Sequence, residues 1–254
     1  MTTLQLKEVT AGFGAVTVLH GIDLDVQDGE IAGVFGLNGA GKSVTMKTIA
    51  GIVPTRSGQI WFDGVDITRL DAESRVELGM GHVPQGRQVF ANLTVEENLR
   101  LGAYTLRKRD KSRYAGVLDS VYDRFPVLRE RRTQKAGTMS GGQQASLAVA
   151  RALVNEPRLI LVDEPSAGLS PKMQGDLRDV LQVVKDSGVT MVLVEQNVAF
   201  GLSLVDTANL LQTGVVVHTA PVAELDEDTL ATHLGIGRVL AGATGTALNA
   251  RKKP

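Results

Sequence analysis

Apolar residues recur along this chain in three rhythms, and each predicts a different kind of element. Near the N-terminus Leu4, Leu6 and Val9 open a strand, and Ile22, Leu24 and Val26 alternate with Asp23 and Asp25 as in a half-exposed one. Three runs are largely apolar and do not alternate: Ile31–Phe35, Leu159–Val162 between Arg158 and Asp163, and Val189–Val194 with Thr190 as its one polar residue. Such runs predict strands covered on both faces, as in a parallel sheet. Helical spacing marks Val44, Met46, Ile49 and Ala50, then Leu147, Val149, Ala150 and Leu153, then Leu177, Val180, Leu181 and Val184.

Punctuation supports these divisions. Asp28-Gly29, Asp63-Gly64 and Thr213-Gly214 read as tight turns, the second joining Ile60-Trp61-Phe62 to Val65-Asp66-Ile67 in a hairpin. Gly51 and Pro54 close the first helix, and Gly81–Gln85 is a short strand that stops in a loop. Thr94-Val95-Glu96-Glu97 has the form of a capping box, followed by Leu99, Leu101 and Tyr104 at partly helical spacing. Ser170-Pro171 starts another helix, which Gly188 follows. Between Arg107 and Lys135 a segment rich in Arg and Lys carries the stripe Val117, Leu118, Val121, Tyr122 and Phe125, a helical insertion. Its basic side reads either as a solvated face or as a docking surface. The expected fold is α/β: a core of buried strands and helices, an antiparallel β subdomain, and a helical subdomain at about residues 86–156. The main domain is expected to span 1–238, with a frayed tail over 239–254.

Composition narrows the class without naming it. The chain has 254 residues, a formal net charge of −1 and 43% hydrophobic residues, ordinary for a globular protein. Near-neutrality argues against a protein that coats nucleic acid. With no cysteine, disulfides and Cys-based zinc sites are excluded. No apolar run reaches the roughly 20 residues that span a bilayer, and the N-terminus has no signal-peptide pattern. His20, His82, His218 and His233 are scattered without metal-ligand spacing and are expected to be structural or surface residues.

Chemistry concentrates at four places. Gly36-Leu37-Asn38-Gly39-Ala40-Gly41-Lys42-Ser43 fits the phosphate-loop pattern, with a buried strand before it and a helix after it, so the α/β core is expected to be a P-loop (RecA-like) nucleotide-binding one. There, backbone N–H groups and the helix N-terminus converge on phosphate oxygens, Lys42 reaches the β- and γ-phosphates, and the Ser43 hydroxyl ligates Mg²⁺. Asp163-Glu164 ends an apolar strand, where an Asp supports the metal and the next carboxylate polarises water. Ser140-Gly141-Gly142-Gln143 opens a helix with small residues, a weak signal alone. Gln85 lies in the loop after the short strand.

Taken together, the phosphate loop, the Gln85 loop, Ser140–Gln143 and Leu161-Val162-Asp163-Glu164-Pro165 resemble an ABC transporter ATPase subunit in order and spacing. The resemblance implies ATP and Mg²⁺ as ligands, Phe13 stacked on adenine, and Gly36 to Ser43 around the triphosphate. It implies Ser43, Gln85 and Asp163 at the metal, Glu164 as general base or water-orienting residue, and Gln85 as the coupling to a membrane partner. Two such domains meet head to tail in this family, so Ser140, Gly141, Gly142 and Gln143 would complete the partner's nucleotide site. The runs Val83–Phe90, Leu93–Leu99, Gly102-Ala103-Tyr104, Glu164–Leu169 and Val194-Glu195-Gln196-Asn197 are similar to the shorter, F-type ATPase of branched-chain amino-acid importers. That implies a paralogous ATPase partner or a second copy, two transmembrane permeases, indirectly a solute-binding protein, no nucleic acid, and a peripheral place on the cytoplasmic face of the plasma membrane.

Departures and alternatives accompany the resemblance. Gln196 occupies the switch position where most relatives have His; its amide can donate to the γ-phosphate but cannot become a cation. Ser170 stands where many relatives have Asp, Met139 begins the signature in place of Leu, and Ala145-Ser146 replaces a more polar pair. Arg87, Phe90 and Leu93 read either as the lining of a groove for a permease helix or as ordinary packing. Urea and short-chain amide importers, an exporter, and a module that holds ATP with little hydrolysis remain alternatives.

Overall fold

The computed structural model describes residues 1–86 and 88–234; Arg87 and the tail expected over 239–254 lie outside the described residues. The chain divides into two compact units, one of Met1–Ala72 with Thr190 onward and one of Glu73–Val189.

The first unit opens with β1 (Thr2–Phe13), β2 (Val16–Gln27), β3 (Ile31–Phe35), α1 (Lys42–Ile49), β4 (Thr55–Phe62) and β5 (Val65–Asp66). The second contains α2 (Ala72–Glu77, whose first residue belongs to the first unit), β6 (Met80–Val83), α3 (Val95–Gly102), α4 (Tyr104–Arg109), α5 (Tyr114–Arg124) and α6 (Pro126–Glu130). It continues with α7 (Gly141–Leu153), β7 (Leu159–Asp163) and α8 (Pro171–Asp186). The first unit is then completed by β8 (Thr190–Glu195), α9 (Val198–Leu202), β9 (Thr207–Gln212), β10 (Val215–Pro221) and α10 (Glu227–Leu234).

In the first unit an antiparallel sheet runs β2-β1-β4-β5. Its register sets Val26, Leu4 and Phe62 across one row and Leu24, Leu6 and Ile60 across the next, all six buried. The alternate row, Asp25, Gln5, Trp61 and Asp66, occupies the other face. Alternation in sequence is thus two-sidedness in the sheet, with burial worth about 1.5–3 kcal/mol per large apolar side chain. Irregular register around Leu6 to Thr10, with Glu8 at φ 48°, interrupts an otherwise regular strand. The continuous apolar runs have their own cause: β3 lies between β8 and β9, parallel to both, and every residue of β3 and β8 is buried. β10 returns antiparallel to β9 through the Thr213-Gly214 turn.

In the second unit β6 pairs parallel with β7, whose five residues are all buried. The basic insertion is not one helix. Asp110 ends α4, and Phe125-Pro126 breaks α5 from α6, because proline disfavours helical backbone in the residue before it. Val121, Tyr122, Phe125 and Leu128 are buried, whereas Leu101 and Tyr104, at partly helical spacing after the buried Leu99, are exposed. Among the described residues no helix is long and apolar enough to cross a membrane.

Candidate nucleotide site

The phosphate loop joins β3 to α1 within the first unit. Gly36 has to be glycine for steric reasons: a Cβ there would lie 2.4 Å from the Leu211 carbonyl oxygen of β9. Gly214, in the β9–β10 turn, donates its N–H to the Ala40 carbonyl at 2.8 Å. The hairpin therefore braces the loop from outside, a support that the motif does not reveal. Lys42 is buried and its ammonium donates to the Gly36 and Leu37 carbonyls at 2.9 and 3.2 Å. Leu37, Asn38 and Gly39 are exposed, and Ser43 is half-buried at the start of α1.

Helix α1 begins without a side-chain cap on Gly41, whose φ is 109°. By contrast Thr94, Ser140, Ser170 and Asn197 each cap α3, α7, α8 and α9 with a side-chain oxygen. Helix N-termini present N–H groups of the kind that suits a phosphate. Val44, expected on the inner side of α1, is only half-buried, while Thr45 and Thr48 are buried because their hydroxyls return to the Gly41 and Val44 carbonyls. Phe13, at the end of β1, is 53% exposed, an aromatic face open to a planar ligand. Gln196 is exposed after β8, next to the buried Glu195, whose carboxylate accepts from the Asn197 N–H at 3.2 Å.

The second unit carries the other residues. Asp163 is buried at the end of β7, and Glu164 follows with φ 42°, a left-handed backbone that costs a residue other than glycine about 1–2 kcal/mol. Such cost is commonly held at functional sites. Gln85, exposed after β6, donates its amide to Glu164 Oε2 at 2.8 Å. The two residues assigned to coupling and to water activation are thus in direct contact, although 79 positions separate them.

Ser140 caps α7 in a reciprocal box: its hydroxyl accepts from the Gln143 N–H at 3.3 Å, and Gln143 Oε1 accepts from the Ser140 N–H at 3.0 Å. Because the hydroxyl is used as an acceptor, its proton stays available to another oxygen. Gly141 begins the helix, and Gly142 is buried in a tight place: a Cβ would lie 3.2 Å from Asp176 Oδ2 of α8. Ala145-Ser146, opaque as sequence, are both buried; Ser146 satisfies its hydroxyl on the Gly142 carbonyl at 3.1 Å. Ser170 caps α8, accepting from the Met173 N–H.

Two polar residues escaped the sequence reading. Asn98 is fully buried, and Arg151 of α7 is half-buried. Arg151 belongs to no run singled out in the sequence, and the Leu93–Leu99 run that holds Asn98 does not reveal its burial, since the burial of an isolated polar side chain depends on tertiary partners. His218 and His233 are distant in sequence but stack, with centroids 5.8 Å apart and planes inclined by 14°. No group of three or more metal-ligating residues occurs among the described residues.

Comparison with known proteins gives the family and the fold. A family model described as ABC transporter matches residues 19–167, more than half of the chain. The high-affinity branched-chain amino acid transport ATP-binding protein BraG of Pseudomonas aeruginosa is 40% identical over 87% of this chain and 94% of its own length. The probable branched-chain amino acid transport ATP-binding protein LivF of Archaeoglobus fulgidus is 41% identical over 88% and 94%. The lipopolysaccharide export system ATP-binding protein LptB of Escherichia coli K12 is 30% identical over 92% and 98%. A nucleotide-free ATP-binding cassette from an ABC transporter superposes with a TM-score of 0.80 at 24% identity, over 94% of this chain and 98% of that one, and shows the shared fold. The chain belongs to the ABC transporter family, as one of its ATPase subunits.

Proposed function

We propose that this chain hydrolyses ATP to drive an importer of branched-chain amino acids, as a peripheral subunit on the cytoplasmic face of the plasma membrane. The hydrogen bond between Gln85 and Glu164 carries the reading, because it ties the loop assigned to a membrane partner to the carboxylate assigned to hydrolysis. Identities of 40% and 41% to two branched-chain amino acid transport subunits, against 30% to an export subunit, favour import.

In this reading Phe13 stacks on adenine, and Gly36, Leu37, Asn38, Gly39, Ala40, Gly41, Lys42 and Ser43 hold the triphosphate. Ser43, Gln85 and Asp163 offer only oxygen donors, the set that suits Mg²⁺. The ion would neutralise charge between the β- and γ-phosphates. Glu164 orients a water and accepts its proton as the water oxygen bonds to the γ-phosphorus and ADP leaves. Gln196 donates its amide to the γ-phosphate. Ser140, Gly141, Gly142 and Gln143 complete the nucleotide site of a second ATPase, a paralogue or another copy. Two transmembrane permeases receive the motion, with a solute-binding protein delivering cargo. The helices within residues 86–156 form the part that faces the permeases, and Phe90, half exposed, belongs to that surface.

The test separates binding from chemistry. Glu164→Gln should keep ATP affinity within about twofold and lower hydrolysis at this chain's own nucleotide site at least ~100-fold, the scale of a lost general base. Lys42→Ala should abolish ATP binding. Full turnover by Glu164→Gln would refute the assignment.

A further inference from the structure

Arg151 joins the Gln85 loop to the helix that carries Ser140. Its Nη1 donates to the Gln88 carbonyl at 2.8 Å, and its guanidinium lies over the Phe90 ring, 5.1 Å from the centroid. Its stem runs along the end of α3, where a Cβ on Gly102 would come within 2.6 Å of Arg151 Cγ. Gln88, at φ 39°, donates its side-chain amide back to the Gln85 carbonyl at 3.2 Å. Asn98 holds the other end of this stretch, accepting from the Phe90 N–H at 2.9 Å and donating to the carbonyls of Phe90 and Thr94 at 3.1 and 2.8 Å. Gln85 in turn holds Glu164.

A continuous path therefore runs from Glu164 through Gln85, Gln88 and Arg151 into α7, the helix that Ser140 caps. Arg151 lies eleven positions from Ser140, about 16 Å at 1.5 Å per residue. A helix of this length transmits displacement as a rigid piece. The planar guanidinium makes both contacts at once, donating at its edge and stacking with its face.

We propose that Arg151 is a positioning residue that locks Gln88 and Phe90 to α7, so that making or breaking the Gln85–Glu164 contact moves Ser140. The inference rests on the roles assigned above to Gln85, Glu164 and Ser140. It makes readiness for hydrolysis at one site a determinant of how the signature is presented to the other.

The experiment uses the assembled transporter ATPase with Arg151→Ala, Arg151→Lys, Gln85→Ala and, as a control, Arg113→Ala, which breaks only an exposed ion pair with Glu156. Arg151→Ala should lower kcat roughly three- to thirtyfold, the range of residues that carry coupling between sites, with KM for ATP changed less than about twofold. Amide exchange at Gln88 to Leu93 should accelerate about tenfold in the same variant. Arg151→Lys keeps the donor and loses the stack, so it should recover part of both effects. Arg113→Ala should match wild type. Wild-type kcat in Arg151→Ala, or equal loss of ATP affinity and kcat without rescue by lysine, would overturn the relay alone. Full turnover in Gln85→Ala would overturn the site reading and the relay with it.

Discussion

Gln196 differs chemically from the histidine expected at its position, and the difference is measurable. An amide donates at every physiological pH, whereas imidazole gains a proton near pH ~6.5. Gln196→His should therefore add an inflection near pH ~6.5 to the kcat profile; an unchanged profile would remove Gln196 from the reacting site. Tyr122 offers a test of packing away from that chemistry. Its hydroxyl is buried without a hydrogen-bond partner among the described residues, and burial pushes its pKa up to about 12. Tyr122→Phe removes the stranded group and should stabilise the protein by about 1 kcal/mol, a rise in Tm of roughly 2–4 °C by calorimetry. At this scale the sequence was uneven. The phosphate loop and Asp163-Glu164 could be found because their chemistry demands neighbouring residues at fixed spacing. The Gln85–Glu164 contact, the Asn98 network and the Arg151 stack could not, because each pairs residues that only the fold brings together.

Among the elements, α3 and α7 share one device, a reciprocal cap at the N-terminus. The α3 box, Thr94 with Glu97, was readable; the α7 box, Ser140 with Gln143, sat inside a motif already read for another purpose. Hydrogen bonds from the Thr94 backbone and side chain hold the Glu97 carboxyl below its ordinary value of 4.5. A depressed carboxylate pKa contributes stability that is present above the unfolded value and lost as pH falls through the folded one. The first turn of α3 should thus loosen only below pH 4.5, and Glu97→Gln should flatten that dependence in amide exchange. Asn98 is the larger support. Replacing it with Ala strands several buried loop groups and should cost about 3 kcal/mol, read as a fall in denaturant midpoint. Strands were legible because burial on one or two faces writes a different apolar rhythm. The breaks between α4, α5 and α6 were less so, since a basic stripe continues across them.

For the whole molecule, the central claim concerns a chain that completes its chemistry only in company. Ser140 and its glycines serve another subunit's nucleotide in this account, so an isolated chain should bind ATP yet turn it over slowly. Unequal switch residues in a pair of paralogues would make unequal sites. Single-turnover hydrolysis should then fall less for Glu164→Gln in this chain than for the matching substitution in its partner, and equal losses would contradict that asymmetry. The most direct measurement is ATP-driven uptake of radiolabelled leucine into proteoliposomes holding this chain, its paralogue and two permeases, supplied with the solute-binding protein. The account predicts leucine accumulation with wild type and background uptake with Glu164→Gln, although that variant still binds ATP. Wild-type ATP hydrolysis without leucine accumulation, or undiminished uptake by Glu164→Gln, would contradict it.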